Sequence, residues 1–144
     1  FKYSNVTRAS AESDTVRLQH IRLIGDAIKA TQANCVEGSV LLASIFRKLE
    51  MDPFLVLVPG HCFVGVYLDE DQEDFLCIET TMLADSGFKA AVEAGNEQFA
   101  EVLKKLDAGE DEAGEYQVID IGEVRGRGLL PIREPGADLK AAGR

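Results

Sequence analysis

The sequence predicts an α+β domain, with helices flanking a mainly antiparallel sheet. Three features point there. Two early stretches carry helical apolar spacing, a run of short strand-like segments surrounds Pro59-Gly60, and a long amphipathic segment precedes a last strand. With 144 residues, the chain reads as one domain over 1–144, long enough to bury a single core without staples.

Taken in order, residues 1–10, "FKYSNVTRAS", read as an extended lead-in. A helix is expected over about 12–30, with Val16, His20, Leu23, Ala27 and Ile28 near one stripe. His20 on that stripe is read as structural. A second helix starts at Cys35 or just after it. Leu42, Ile45, Phe46 and Leu49 follow i, i+3, i+4, i+7 spacing, and Pro53 forbids much continuation. "FLVLV" (54–58), a Pro59-Gly60 turn, "HCFVGVYL" (61–68) and "FLCIETT" (75–81) read as strands. "FKAAVEAGNEQFAEVLKKL" (88–106) is helical, offering Phe88, Ala91, Val92, Phe99, Val102, Leu103 and Leu106 for packing. "YQVIDI" (116–121) is a late strand, and residues 133–144 read as a frayed tail.

Composition narrows the partners. Asp plus Glu outnumber Lys plus Arg 25 to 15, a formal charge of −10 that disfavours nucleic acid, which calls for a cationic patch. The acidic runs "DEDQED" and "DAGEDEAGE" read as solvated loops. No apolar run approaches the roughly 20 residues of a membrane span. There is no glycine-rich phosphate loop and no convincing ligand cluster, so no cofactor or metal is expected. The three cysteines show no CxxC spacing, and an odd count is no disulfide framework. The chain begins at Phe1 rather than Met, so an upstream signal or domain is allowed for, as part of a larger protein. The compartment stays open between cytoplasm and periplasm.

The candidate chemistry starts at "QANCVEGSV" (32–40). A thiol in the first turn of a helix meets backbone N–H groups without helical partners, and the positive end of the dipole favours thiolate. Alone, Cys35 would read as packing. His61, at a strand edge after "VPG", could accept the thiol proton and return it to a leaving group, although a lone histidine is more often structural or solvated. Glu79 is the third candidate, against the plain reading of an edge residue exposed to water.

Strand alternation tests that set. His61, Phe63, Gly65 and Tyr67 share one face; Cys62, Val64, Val66 and Leu68 share the other. Placing Val64, Val66 and Leu68 beside Leu76 and Ile78 in the core puts His61 and Glu79 together on the opposite face. In a register pairing 67 with 75, Glu79 is a diagonal neighbour of His61, able to fix its tautomer and stabilise imidazolium. Adjacent His61 and Cys62 point opposite ways, which argues against a tetrahedral zinc site. Cys62 is read as a core thiol, and Cys77 stays ambiguous.

The ordered set "NCVEGSVLLASIFRKLEMDPFLVLVPGHCFVGVYL" followed by "CIETT" resembles the transglutaminase-like superfamily, related to papain-type cysteine peptidases. In that family a Cys opens a helix, a His starts one strand, and an Asp or Glu lies on the next. Cys35, His61 and Glu79 match in that order, and Phe63 matches an aromatic position after the His-x pair. The resemblance spans about 16 to 132, with "YQVIDIGEVRGRGLLPI" similar to the tail of a bacterial branch. It implies a transglutaminase-like, papain-like fold with the catalytic Cys at the N-terminus of a helix packed on the sheet. It also implies an oxyanion hole built partly from the Cys35 backbone N–H, with Gln32 and Asn34 as candidates for the second donor. Glu37 matches an acidic position of this branch; its local reading is a helix N-terminal carboxylate complementing the dipole. The usual triad acid is Asp, and Glu79 departs from that.

Two functions follow. One is a cysteine-dependent hydrolase or acyltransferase on amide bonds, peptidase or amidase rather than cross-linking, with a peptide or amide-containing substrate and a thioester intermediate. The other is a catalytically silent interaction module that keeps the fold.

Overall fold

The computed structural model describes residues 2–3, 21–111 and 114–132. Among them the architecture is α+β, with four α-helices and a four-stranded antiparallel sheet. Chain order is β1 (Lys2–Tyr3), α1 (Ile24–Ala30), β2 (Gln32–Ala33), α2 (Cys35–Lys48), β3 (Asp52–Val58), β4 (His61–Tyr67) and β5 (Phe75–Ile78). A 3₁₀ turn (Thr80–Met82), α3 (Gly87–Asp107), β6 (Gln117–Asp120) and α4 (Ile121–Gly126) follow. The sheet runs β5-β4-β3-β6, while β1 and β2 form a separate parallel pair.

β3 and β4 make a hairpin with Val58 opposite His61, leaving Pro59 and Gly60 as the whole turn. Proline fixes φ at the first turn position, and Gly60 takes φ 73° at the second, where a side chain would be strained. That tight turn delivers His61 as the first residue of β4. Tyr67 pairs with Phe75, the register read from the sequence.

Both faces of the sheet are covered. On one, Ala43 of α2 packs with Val64 and Ile78. On the other, Phe54, Val56, Phe63 and Cys77 pack with Phe99 and Val102 of α3. Phe54 is the aromatic hub, its ring 4.8 Å from Tyr67 and 5.3 Å from Phe99. The face carrying His61, opposite the Val64 face, is therefore a second core layer. Cys77 lies inside it, fully buried, which settles its reading as a core thiol; Cys62 is 1% exposed in the opposite layer.

An edge strand leaves backbone N–H groups unpaired unless something covers it. Here α3 covers β5. The Cys77 N–H donates to Asn96 Oδ1 at 2.8 Å and the Glu79 N–H to the Ala91 carbonyl at 2.9 Å. The approach depends on Gly95, where an added Cβ would sit 2.6 Å from the Cys77 carbonyl carbon.

Several expectations shift. The first helix begins only at Ile24, because the Arg22 N–H goes to the Glu37 carboxylate and Leu23 is extended; Val16 and His20 lie outside the described residues. Ile28 and Phe88 face outward, as does Leu68, since β4 ends at Tyr67. Leu103 and Leu106 stay at the rim rather than in the core. Of the expected lead-in, Lys2–Tyr3 are a strand against β2; 4–10 and the tail 133–144 lie outside the described residues. The late strand stops at Asp120, whose carboxylate accepts from the Glu123 N–H and starts a helix.

Gly95→Ala should push α3 off β5 and cost about 1–3 kcal/mol. Urea unfolding reads this as a lower midpoint with an unchanged slope; an unmoved midpoint contradicts the close approach.

Candidate active site

The nucleophile candidate sits where a well-capped helix begins. Asn34 Oδ1 accepts from the Glu37 N–H at 2.8 Å, and Glu37 Oε2 accepts from the Asn34 N–H at 3.0 Å, a reciprocal capping box. Glu37 is buried, so its charge requires a partner. Arg22 supplies it through its backbone N–H, Nε and a terminal nitrogen, while the same terminal nitrogen also reaches the Gln32 carbonyl. The Arg22 hydrogen bond foremost holds the Glu37 carboxyl down at about 2. Cys35, next after the cap, thus opens an anchored first turn.

Ser39, one turn on and on the same helix face as Cys35, is fully buried, and its hydroxyl donates to the Cys62 carbonyl at 3.2 Å. This ties the start of α2 to the start of β4, which brings Cys35 and His61 close enough for each to shift the other's titration. Burial pushes the Cys35 thiol up, yet the bond from His61 and backbone hydrogen bonds from Cys62 and Val36 outweigh it. The net direction is down. Cys62 and Cys77 go the other way, burial lifting them to about 11 and about 12. Of the three thiols, only Cys35 is shifted toward thiolate.

His61 is raised to about 9, first by its bond with Cys35 and then by Glu79, against burial. Its Nε2 lies 2.6 Å from Glu79 Oε2, which leaves Nδ1 as the nitrogen for the sulfur. Burial pushes the Glu79 carboxyl up, but the bonds from His61 and Thr81 overcome it and hold it at about 2. Glu79 is only 3% exposed. Its Oε1 accepts from the Thr81 N–H at 3.0 Å and the Thr81 hydroxyl at 2.6 Å; Oε2 also accepts from Gln98 Nε2 at 3.1 Å.

Cys35, His61 and Glu79 are therefore together, as the sequence suggested, but Glu79 arrives by a different route. β5 ends at Ile78, and Glu79 is the N-cap of the 3₁₀ turn rather than a strand residue or a solvated edge. The oxyanion candidates separate. Asn34 spends its side-chain oxygen and its backbone N–H on the capping box, while Gln32 is exposed on β2. Arg22, Ser39, Thr81 and Gln98 were missed. Ser39 had a readable signal in its i+4 spacing from Cys35, and Thr81 in its two-residue offset from Glu79. Arg22 and Gln98 meet their carboxylates only through tertiary contact.

Among the described residues, no group of three or more His, Cys, Asp or Glu side chains could hold a metal ion, and no helix is long and apolar enough to cross a membrane. An apolar groove of about 530 Å³ lies between α2 and α4, lined in part by Ile24, Val40, Leu55 and Val124; it is not bordered by Cys35, His61 or Glu79. Comparison with protein-family models, curated proteins and solved structures finds no match to this chain.

The pKa directions set a stability profile. The contribution of Glu37 and Glu79 is whole above their ordinary 4.5 and is lost as pH falls toward about 2. That of His61 is whole below its ordinary 6.5 and is lost as pH rises through about 9. The melting temperature should therefore peak between those ordinary values and decline on both sides. Glu79→Gln removes the charge common to both limbs and should flatten each; a variant keeping the parent's alkaline slope contradicts the His61–Glu79 pairing.

Proposed function

We propose that this chain is a cysteine-dependent hydrolase or acyltransferase acting on amide bonds, with peptidase or amidase chemistry ahead of cross-linking. The observation that carries this reading is the convergence of Cys35, His61 and Glu79: His61 Nε2 lies 2.6 Å from the Glu79 carboxylate, and the Cys35 thiol and His61 imidazole shift each other in opposite directions. Opposite shifts favour thiolate beside imidazolium, the state from which sulfur attacks a carbonyl. The helix start, the hairpin and the residue after β5 occur in the order of the transglutaminase-like superfamily, and this supports assigning that papain-like fold.

The chemistry is written on these residues. Cys35 sulfur attacks the amide carbonyl carbon and a C–S bond forms. His61 gives its proton to the leaving nitrogen as the C–N bond breaks, leaving a thioester on Cys35. Water, or an amine in the transfer reaction, then attacks the thioester; His61 takes its proton and the thiolate departs. Glu79 keeps the ring aligned and balances the imidazolium charge without itself taking the proton. Donors in the first turn of α2 stabilise the developing oxyanion.

One observation favours a second reading, a catalytically silent interaction module: Cys35 is only 5% exposed. A single experiment separates the two. Incubation with an activated peptidyl ester, followed by intact-mass analysis and peptide mapping, should reveal one acyl group on Cys35 that discharges to water or to added amine. His61→Ala should slow acylation by about 10²-fold or more. A native protein whose Cys35 gains no acyl group under any of these conditions is the silent module.

A further inference from the structure

Glutamate brings three side-chain torsions to a task that needs one carboxylate oxygen held still against a ring nitrogen. Nothing in β5 restrains them, because the strand has ended one residue earlier. The Glu79 backbone is fixed by its N–H bond to the Ala91 carbonyl, and Oε1 is fixed by the two Thr81 donors. These constrain one end of the carboxylate. The oxygen that meets His61, Oε2, has one further donor among the described residues, Gln98 Nε2 at 3.1 Å.

Gln98 reaches that oxygen because of how α3 lies on the sheet edge. Gly95 allows contact with the Cys77 carbonyl, and Asn96 takes the Cys77 N–H. Gln98 then stands three residues past Gly95, on the neighbouring stripe of the same helix face. Phe99, the next residue, is buried against Phe54 and locks the rotation of the helix.

We propose that Gln98 is a positioning residue of this site: its side-chain amide holds Glu79 Oε2 in the place where that oxygen meets His61 Nε2, so that α3 sets the alignment of the imidazole on Cys35. The inference rests on the reading of the Cys35–His61–Glu79 set as catalytic. Two effects of losing the amide oppose each other. A carboxylate with one donor fewer is slightly more basic, which would strengthen its hold on imidazolium. A carboxylate free to turn or to take up water spends less time on the ring, which weakens it. A neutral amide donor changes carboxylate basicity little, whereas release of a long side chain from one of its two anchors changes its occupancy more. The second effect prevails.

The test is a proton NMR titration of the His61 ring in the full chain, which has only two histidines, so His61→Ala assigns the signal. In the parent, imidazolium should persist to about 9. Gln98→Met keeps length and bulk but removes the donor, and the His61 midpoint should fall by about one pH unit. Acylation of Cys35 at neutral pH should slow severalfold in the same variant. Gln98→Asn keeps the amide but falls short by one methylene; it should behave likewise and serves if Gln98→Met does not fold. An unchanged or raised His61 midpoint in a folded Gln98 variant overturns the inference, even if its melting temperature drops, since that is a merely structural role. The two failures look different. A parent His61 that titrates near its ordinary 6.5 sinks the catalytic reading and this inference with it. A parent near 9 with indifferent Gln98 variants sinks this inference alone.

Discussion

Glu79 is a nearly water-free carboxylate on which β4, the end of β5 and α3 converge, and most of what distinguishes this chain hangs on keeping it charged. Burying an ion costs several kcal/mol (order of magnitude) unless each lone pair is met by a donor. Glu79 meets that condition with donors from His61, Thr81 and Gln98. The same set of donors makes the site directional. A charged, immobile acceptor behind the ring dictates which imidazole nitrogen faces the sulfur. Removing any one donor would leave the charge under-satisfied in a low-dielectric place, so the fold and the proposed chemistry rely on the same contacts.

The other end of the site solves a related problem. A thiolate at the start of a helix benefits from unpartnered N–H groups, but the buried Glu37 brings a second negative charge two residues away. Arg22 answers it from outside the helix, binding both Glu37 oxygens and the Gln32 carbonyl. The capping box and the Arg22 bridge therefore anchor the first turn without leaving an unbalanced anion beside Cys35. Ser39 then fixes that turn against β4 at the residue next to His61. Sulfur and imidazole meet because two local anchors, the cap and the Ser39 bond, place their backbones. The acidic loop between β4 and β5 is exposed and takes no part in these contacts.

Much of this was legible along the chain, for identifiable reasons. The start of α2 was readable because helical apolar spacing sets in after the polar lead-in to Cys35, and its end because Pro53 follows soon after; the capping box of Asn34 and Glu37 went unread. The β3–β4 hairpin and the pairing of Tyr67 with Phe75 followed from turn chemistry and period-two alternation. What escaped was set by tertiary contact. Alternation carried Glu79 onto a strand that had already ended, because Thr81 offers its carboxylate a local cap that the ladder could not match. It also could not say what covers the His61 face, since nothing local announces that α3 will pack there with Phe99 and Val102. Arg22 and Leu23 stay out of the first helix because the Arg22 N–H goes to a side chain fifteen positions away, the carboxylate of Glu37. The three candidate residues survived these errors because their elements were placed correctly even where their ends were not.

The ultraviolet absorbance of thiolate isolates Cys35, because burial silences the other two thiols: Cys62 and Cys77 are held at about 11 and about 12. Titration of the folded protein should show one thiolate equivalent below the ordinary thiol value of 9, absent in Cys35→Ser and moved up in His61→Ala. A protein that shows no thiolate until pH passes 9, with His61→Ala indistinguishable from the parent, would contradict the coupling of Cys35 to His61.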